Sequence, residues 1–403
     1  MTTSGAQQGI RPGVCLSTSR SASPYIGQII YMTDVNQSAV WNGTSWEGLE
    51  RSRDRNVIIN GAMQVAQRGT STASITTSGY YTADRYLVGL SSLGTWTQSI
   101  EADAPTGSGL RNSFKMLCTT ADASPAAGDF MYLASQRLEG QNVQQFLKGT
   151  ASAKQFAVSF WVKSNVTGTY IAELHDVDKT RQVSASYTIS ASATWEKKTI
   201  IFPADATGVI DNNNGDSLRL NFWGGAGTTF TSGTLNTTWG SVTNANIAVG
   251  QTNLAAATSN YWQITGVQLE AGAVATPFET EDYGTTLEKC FRYYYRTDTG
   301  NSNGSYRTFG KGIAYTTTNA AVFVNFPVRL RVAPSAVESY GSLRLVDYQA
   351  GVNATSITFD SVRTTTDNGQ VTVIVASGLT QYRPYDLEAN GSATAALAWS
   401  AEL

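Results

Sequence analysis

QFAVSFWVKS, Gln155 to Ser164, alternates without a break. Phe156, Val158, Phe160 and Val162 fall on one face of an extended chain, while Ala157, Ser159, Trp161 and Lys163 fall on the other. A period of two sets an apolar face against a core and a mixed face outside it, which is the pattern of a strand. Runs of the same kind follow: VSASYTISA from Val183, KKTIIFPAD from Lys197, SLRLNFWGG from Ser217 and NYWQITGVQLEAG from Asn260. Gly, Asn, Asp and Thr separate them. Short strands with turn residues between them predict an all-β sandwich, here placed at 57–283. RLEGQNVQQFLKG, Arg137 to Gly149, breaks the pattern and predicts a short helix or an irregular crossover.

Composition points the same way. The chain has 403 residues, enough for two or three domains with real cores. Charged residues are 14% of it, against roughly a quarter in an average domain. Ser, Thr, Asn and 37 Gly take their place, so solubility rests on hydroxyls and amides, and strand and turn formers dominate. A formal net charge of −2 offers no general attraction to nucleic acid or to an acidic membrane. No apolar run approaches the roughly 18 residues of a membrane span, and no basic segment leads into an apolar one at the start, so neither membrane insertion nor a signal peptide is expected. Cys15, Cys118 and Cys290 are odd in number and far apart, which argues against a disulfide framework or a zinc site. No cofactor is expected.

Around the sandwich, residues 1–23 are small and polar and read as an arm. Residues 24–50 hold GQIIYMTD and AVWNGTSWEGL, two short strands about a polar turn, a hairpin module too small to stand alone. RSRDRN, Arg51 to Asn56, is the one dense charge cluster and reads as a linker, 51–56. YGTTLEKCFRYYYR predicts a connecting helix over 284–297, capped by Thr285 or Thr286, with Leu287, Phe291 and Tyr294 or Tyr295 on one face. Beyond it, 298–403 reads as a second, smaller β-sandwich.

The single histidine lies in YIAELHDVDKT, Tyr170 to Thr180. On a strand Glu173 and His175 share a face and Asp176 points away. A catalytic triad would have to use this histidine, and no G-x-S-x-G accompanies it. A metal site needs three or four converging ligands, and a Ca²⁺ site from Asp176 and Asp178 lacks identifiable carbonyl partners. A polar sheet face is the ordinary reading of the segment; a sugar-binding face built on Glu173 and His175 is the sharper one. Aromatic rings flanked by amides and charges suit sugars, which present C–H faces and hydroxyls. Trp161, Trp223 and Trp262 fall in strands, where core packing competes with that role; Trp223 stands out, with Arg219 and Asn221 on its face. Loops of the last region offer a second candidate surface: Thr297 to Arg307, Val346 to Thr355 and Gly378 to Ser392. There Tyr348, Tyr382 and Tyr385 supply rings, and Asp347, Gln381, Arg383 and Asp386 supply hydroxyl partners.

The motifs NVIINGAMQVAQRGTS, GYYTADRY, FAVSFWVKSNVTGTYIAELHDVD, TWEKKTIIFPAD, NYWQITGVQLEAGAVATPFE and LEKCFRYYYR, in this order from Asn56 to Arg296, resemble the tail-fibre and receptor-binding proteins of tailed bacteriophages. FPVRLRVAPSAV and the ending WSAEL resemble the domain that follows in such fibres, and GQIIYMTD with VWNGTSWE resembles a small β module common among them. The resemblance implies a jelly roll similar to carbohydrate-binding modules, a homotrimer, attachment to other virion proteins through the N-terminal region, and adhesion to a glycan on the host surface. Three-fold assembly would bury the helix face of Leu287, Phe291 and Tyr294 at an axis or domain junction. A non-catalytic adhesin in the virion is therefore expected. The alternatives are a capsid decoration or head fibre and a polysaccharide depolymerase; the latter's usual long repeat is absent from the sequence.

Overall fold

The structure is a computed structural model that describes residues 12–35, 37–49, 55–299, 306–348 and 350–403. Residues 1–11 of the expected arm, 51–54 of the expected linker and 300–305 of the first candidate loop lie outside that set. The chain is all-β, as the alternation predicts. It forms two compact units whose sequences interleave. One runs to Ala62 and takes in Ala73–Gly79 and Leu87–Thr280; the other comprises Met63–Thr72, Tyr80–Tyr86 and Glu281–Leu403.

The first unit is a sandwich. One sheet has seven strands, in the order Gly240–Ser241, Arg181–Ile189, Gly168–Asp176, Asp216–Ala226, Phe130–Glu139, Tyr86–Ser91 and Gly79–Tyr80. The other has six: Glu196–Phe202, Phe156–Ser164, Tyr261–Ala271, Ser113–Thr120, Thr95–Glu101 and Ser71–Ile75. Phe156–Ser164 is the opening stretch. Its Phe156, Val158, Phe160 and Val162 are buried, and Phe160 meets Tyr187 and Phe222 of the facing sheet edge-on. Arg137 to Gly149 is an irregular crossover with two short 3-10 turns, Gly140–Asn142 and Gln144–Phe146. It delivers Lys148 to a buried cluster, where the ammonium pairs with Asp176 and with Asp205 at 3.0 Å. Burial opposes the charge on Asp205, yet hydrogen bonds from Arg181, Lys148 and Thr207 outweigh it and hold that carboxyl below the ordinary range.

The small N-terminal module exceeds a hairpin. Gly13–Cys15 adds in parallel to Ile29–Met32, followed by Gln37–Trp41 and Trp46–Gly48, four strands in all. Ile30, Met32 and Ala39 are too few for a core and complete one with Ala273 and Val274 of the sandwich unit.

The second unit departs further from expectation. The helix spans Tyr283–Phe291 only, and Asp282 caps it, accepting the Thr285 N–H at 3.0 Å. The tyrosine run that seemed to prolong the helix instead forms the strand Tyr294–Asp298, paired with Ala396–Ser400. Aromatic residues favour a pleated surface, and a partner strand was waiting in sequence a hundred residues on. The rest closes into a six-stranded barrel rather than a second sandwich: Thr308–Ala314, Asn319–Asn325, Asn368–Val375, Gly351–Phe359, Leu343–Val346 and Pro384–Ala389. Alternating short strands serve either architecture; closure removes the two edges an open sheet would leave.

Candidate functional site

Sheet register sorts the predicted residues of the sandwich into rows. The outer face of the seven-stranded sheet carries Gln182, His175, Arg219 and Arg137 side by side on four neighbouring strands. The next row is Ser184, Glu173, Asn221 and Ser135. Beyond it Trp223 stands beside Tyr132, ring centroids 4.5 Å apart and edge-on. Glu173 is 1% exposed and Trp223 fully buried. The Trp223 indole N–H donates to Glu173 Oε2 at 3.1 Å, the Asn221 amide donates to the same oxygen at 3.0 Å, and Ser135 donates to Asn221 Oδ1 at 2.6 Å. His175 Nδ1 lies 3.2 Å from Glu173 Oε1, its side chain 23% exposed. Phe130 and Phe230 cover the indole. The carboxylate is thus a hydrogen-bond hub that permits a tryptophan to be buried with its N–H satisfied. Trp223 therefore offers no face to a sugar, which corrects that expectation, and Glu173 is turned to its neighbours. Asp176 points to the interior against Lys148, and Asp178 accepts the Asp211 N–H at 2.9 Å, so the two do not converge on a cation. Among the described residues no group of three or more His, Cys, Asp or Glu is arranged to hold a metal.

The barrel end differs. Pairing of Ile313 with Pro384 and of Val346 with Asp386 brings three connections to one end of the barrel: Tyr315–Thr318, Asp347–Ala350 and Ala376–Arg383. Each presents a tyrosine. Tyr348 is 100% exposed, Tyr382 72% and Tyr315 40%. Asp347 Oδ1 accepts the Ala350 N–H at 3.0 Å and closes its turn, while its Oδ2 meets Arg383 at 3.1 Å, joining two of the connections. Asp386 pairs with Lys311 at 3.4 Å. Tyr385 was expected beside them as a ligand-facing ring. It is instead buried in the barrel core, where its hydroxyl accepts the Thr380 N–H at 2.9 Å and braces the connection from within. The two-residue step from Tyr385 to Arg383 keeps one face, but the strand starts only at Pro384, so the alternation does not carry into the loop. Sequence reading missed Tyr315; the turn-forming TTTN that follows it is the signal that marks it.

Tyr348 and Tyr382 share a further property. Their φ angles are +78° and +63°. Left-handed backbone is cheap for glycine and costs a bulky L-residue about 1–2 kcal/mol. Nine other non-glycine residues among those described have positive φ, the buried Met63 and Arg85 and the exposed Leu147 and Thr180 among them; Tyr348 and Tyr382 are the exposed aromatic rings of that set. The connection bearing Tyr382 is held by a tight frame: the Tyr382 N–H donates to Ala314 O at 2.7 Å, and Arg383 N–H to Thr380 O at 3.1 Å.

The helix face proposed for assembly is partly open. Tyr283, Leu287, Phe291, Tyr295 and Pro327 line a groove of about 440 Å³. Tyr294 is elsewhere: it is buried, with Arg68 stacked 3.5 Å from its ring centroid and its hydroxyl donating to Glu338 at 2.9 Å.

A β-sandwich with a small added sheet, joined to a closed barrel that carries exposed tyrosines on strained loops, defines an all-β, multi-unit class. The chain matches no protein-family model and no curated protein. It is similar over part of its length to solved structures. One is the enzymatically active domain of tailspike protein 4 of bacteriophage CBA120, at 15% identity over 54% of this chain and 21% of that one, TM-score 0.30. Another is TmCBM61 in complex with β-1,4-galactotriose, at 10% identity over 54% of this chain and 99% of that one, TM-score 0.27. A third is the family 11 carbohydrate-binding module of the cellulosomal cellulase Lic26A-Cel5E of Clostridium thermocellum, at 10% identity over 53% and 94%, TM-score 0.26.

Proposed function

We propose that this chain is a virion fibre protein of a tailed bacteriophage that attaches to the host surface by binding glycan at the tyrosine-bearing end of its barrel, without cleaving it. One observation carries the location. Tyr348 and Tyr382 are exposed rings held on left-handed backbone. Inside the chain Tyr348 gains no packing to offset that conformation and Tyr382 little, and glycine would close the same turns at less cost. Strain that the fold does not recover is characteristic of positions that act on something else. Flat rings, a neighbouring amide in Gln381 and the Arg383–Asp347 pair supply the stacking surface and directional partners that a sugar uses.

The proposal includes assembly as a homotrimer with Leu287 and Phe291 in its contact surface, attachment to other virion proteins through the N-terminal region, and a place on the virion, on tail or capsid. The sequence resemblance and the open groove beside Leu287 and Phe291 support this part. Purified protein added to host cells tests the adhesive reading. It should bind and block virus attachment, Tyr348→Ala with Tyr382→Ala should abolish the block, and host polysaccharide should release no reducing sugar. Wild-type binding by the double variant would end the reading, and sugar release would end its non-catalytic part.

A further inference from the structure

We infer that the barrel-end site takes an uncharged glycan, one bearing hydroxyls and neither carboxylate, phosphate nor free amine. The inference rests on the adhesive reading and names its ligand class. Its basis is the charge arrangement around the three tyrosines.

Two cations stand near the rings, and each is matched by a carboxylate. Arg383 faces Asp347 at 3.1 Å, and Lys311 faces Asp386 at 3.4 Å. The side chains of the connecting turns, Thr316, Thr317, Thr318, Asn319 and Gln381, are neutral. An anionic sugar would have to draw Arg383 from Asp347. That would leave the largely buried Asp347 carboxylate without its cation beside an incoming anion. A cationic amino sugar meets the converse obstacle, because Asp347 and Asp386 already have partners. A neutral sugar meets neither. It stacks its C–H face on a ring and directs hydroxyls to Gln381, the threonines and the outer edge of the ion pair, with no charge to strip of water. Tyr315, on a third turn at the same end, extends the aromatic rim, so a chain of sugars is engaged rather than one ring.

The test is binding of the full chain to two polysaccharide sets: mannan and dextran as neutral probes, polygalacturonate and hyaluronate as acidic ones, each over a salt series. Neutral probes should bind, with affinity changing less than about twofold between low and high salt, since no net charge is neutralised on contact. Tyr348→Ala and Tyr382→Ala should each weaken this binding by about three- to tenfold, the range of a single aromatic contact, with unchanged melting. Val362→Ser, an exposed apolar residue on the Asp360–Asp367 turn at the other end of the barrel, should bind as wild type. Asp347→Asn keeps the acceptor that closes the turn and frees Arg383, so it should gain binding to the acidic probes; a failure to gain counts against the charge argument. Acidic probes bound best by the unaltered protein, steeply weakened by salt and lost in Tyr348→Ala, would overturn the inference and leave the adhesive reading standing. No binding to either set, together with no block of virus attachment, would remove both.

Discussion

Two surfaces of this molecule carry the same kinds of residue and use them in opposite ways. On the outer face of the seven-stranded sheet, the Trp223 indole, the Glu173 carboxylate, the Asn221 amide and the Ser135 hydroxyl satisfy one another. Trp223 is buried, and its N–H ends on Glu173. At the barrel end, tyrosines with equally suitable neighbours stand in solvent on backbone that would rather be glycine. Aromatic and polar side chains in company do not mark a ligand surface. The distinction lies in whether the chain itself recovers what it costs to place them there.

The comparison can be broken first by disturbing what each unit buries. Trp223→Ala should cost the sandwich about 3–5 kcal/mol, through a cavity and a hub carboxylate left short of a donor. Arg85→Leu should cost the barrel unit a similar amount, about 3–5 kcal/mol, because Glu402 would stay buried beside a lost guanidinium. Hydrogen exchange resolved by residue should show each loss confined to its own unit. If Trp223→Ala leaves protection in the sandwich intact, the buried reading of that face fails.

Acid separates the units in sign. Burial pushes the Asp84 carboxyl up to about 6, against the pull of Arg68 and the hydrogen bonds from Gln67. The unfolded chain gives up that proton near pH 4. The stability from protonated Asp84 is therefore complete below about pH 4 and lost as pH climbs through about 6, a change of about 3 kcal/mol. Asp205 in the sandwich is held low and behaves in reverse, contributing above about pH 4 and losing that contribution in stronger acid. Moving from pH 7 to pH 5 should strengthen protection in the barrel unit and leave the sandwich nearly unchanged. Asp84→Asn should flatten the response.

The smallest effects sharpen the contrast. Tyr348→Gly should alter stability by less than about 1 kcal/mol, since relief of left-handed strain and the added freedom of the unfolded chain oppose each other. It should still lose glycan binding, as a chemical-denaturation curve beside a binding isotherm would show. His175→Ala should cost under about 1 kcal/mol, because Glu173 keeps its bonds from Asn221 and Trp223.

Alternation made the faces of Phe156–Ser164 readable from sequence, and the spacing of strands and turns made the all-β class readable with it. Side-chain direction on regular strands was therefore legible, down to Glu173 and His175 sharing a face. Three other features were not. Helix and strand compete evenly for an aromatic run such as Tyr293–Tyr295, and the decision lay with Ala396–Ser400, far along the chain. Sandwich and barrel share one local pattern, so closure depended on which strands met. Tyr382 and Tyr385 look alike in a polar loop; only the start of the strand at Pro384 and the Thr380 contact send one outward and the other in. Local periodicity fixes orientation within an element and says nothing about the residue just outside it.

The barrel unit takes Met63–Thr72 and Tyr80–Tyr86 from the early part of the chain. Gln67 accepts the Arg296 N–H at 3.1 Å, Arg85 pairs with Glu402, and Arg85 stacks 3.5 Å from the Tyr293 ring centroid. On the adhesive reading proposed above, host-range variation by recombination would meet this arrangement as a constraint on breakpoints. A crossover after residue 280 would import a foreign barrel but keep the resident Arg85 and Gln67, so it succeeds only between relatives that agree at those positions. Exchange confined to the turns bearing Tyr315, Tyr348 and Tyr382 meets no such condition, and new specificity should arise there by small replacements more readily than by transfer of the whole domain.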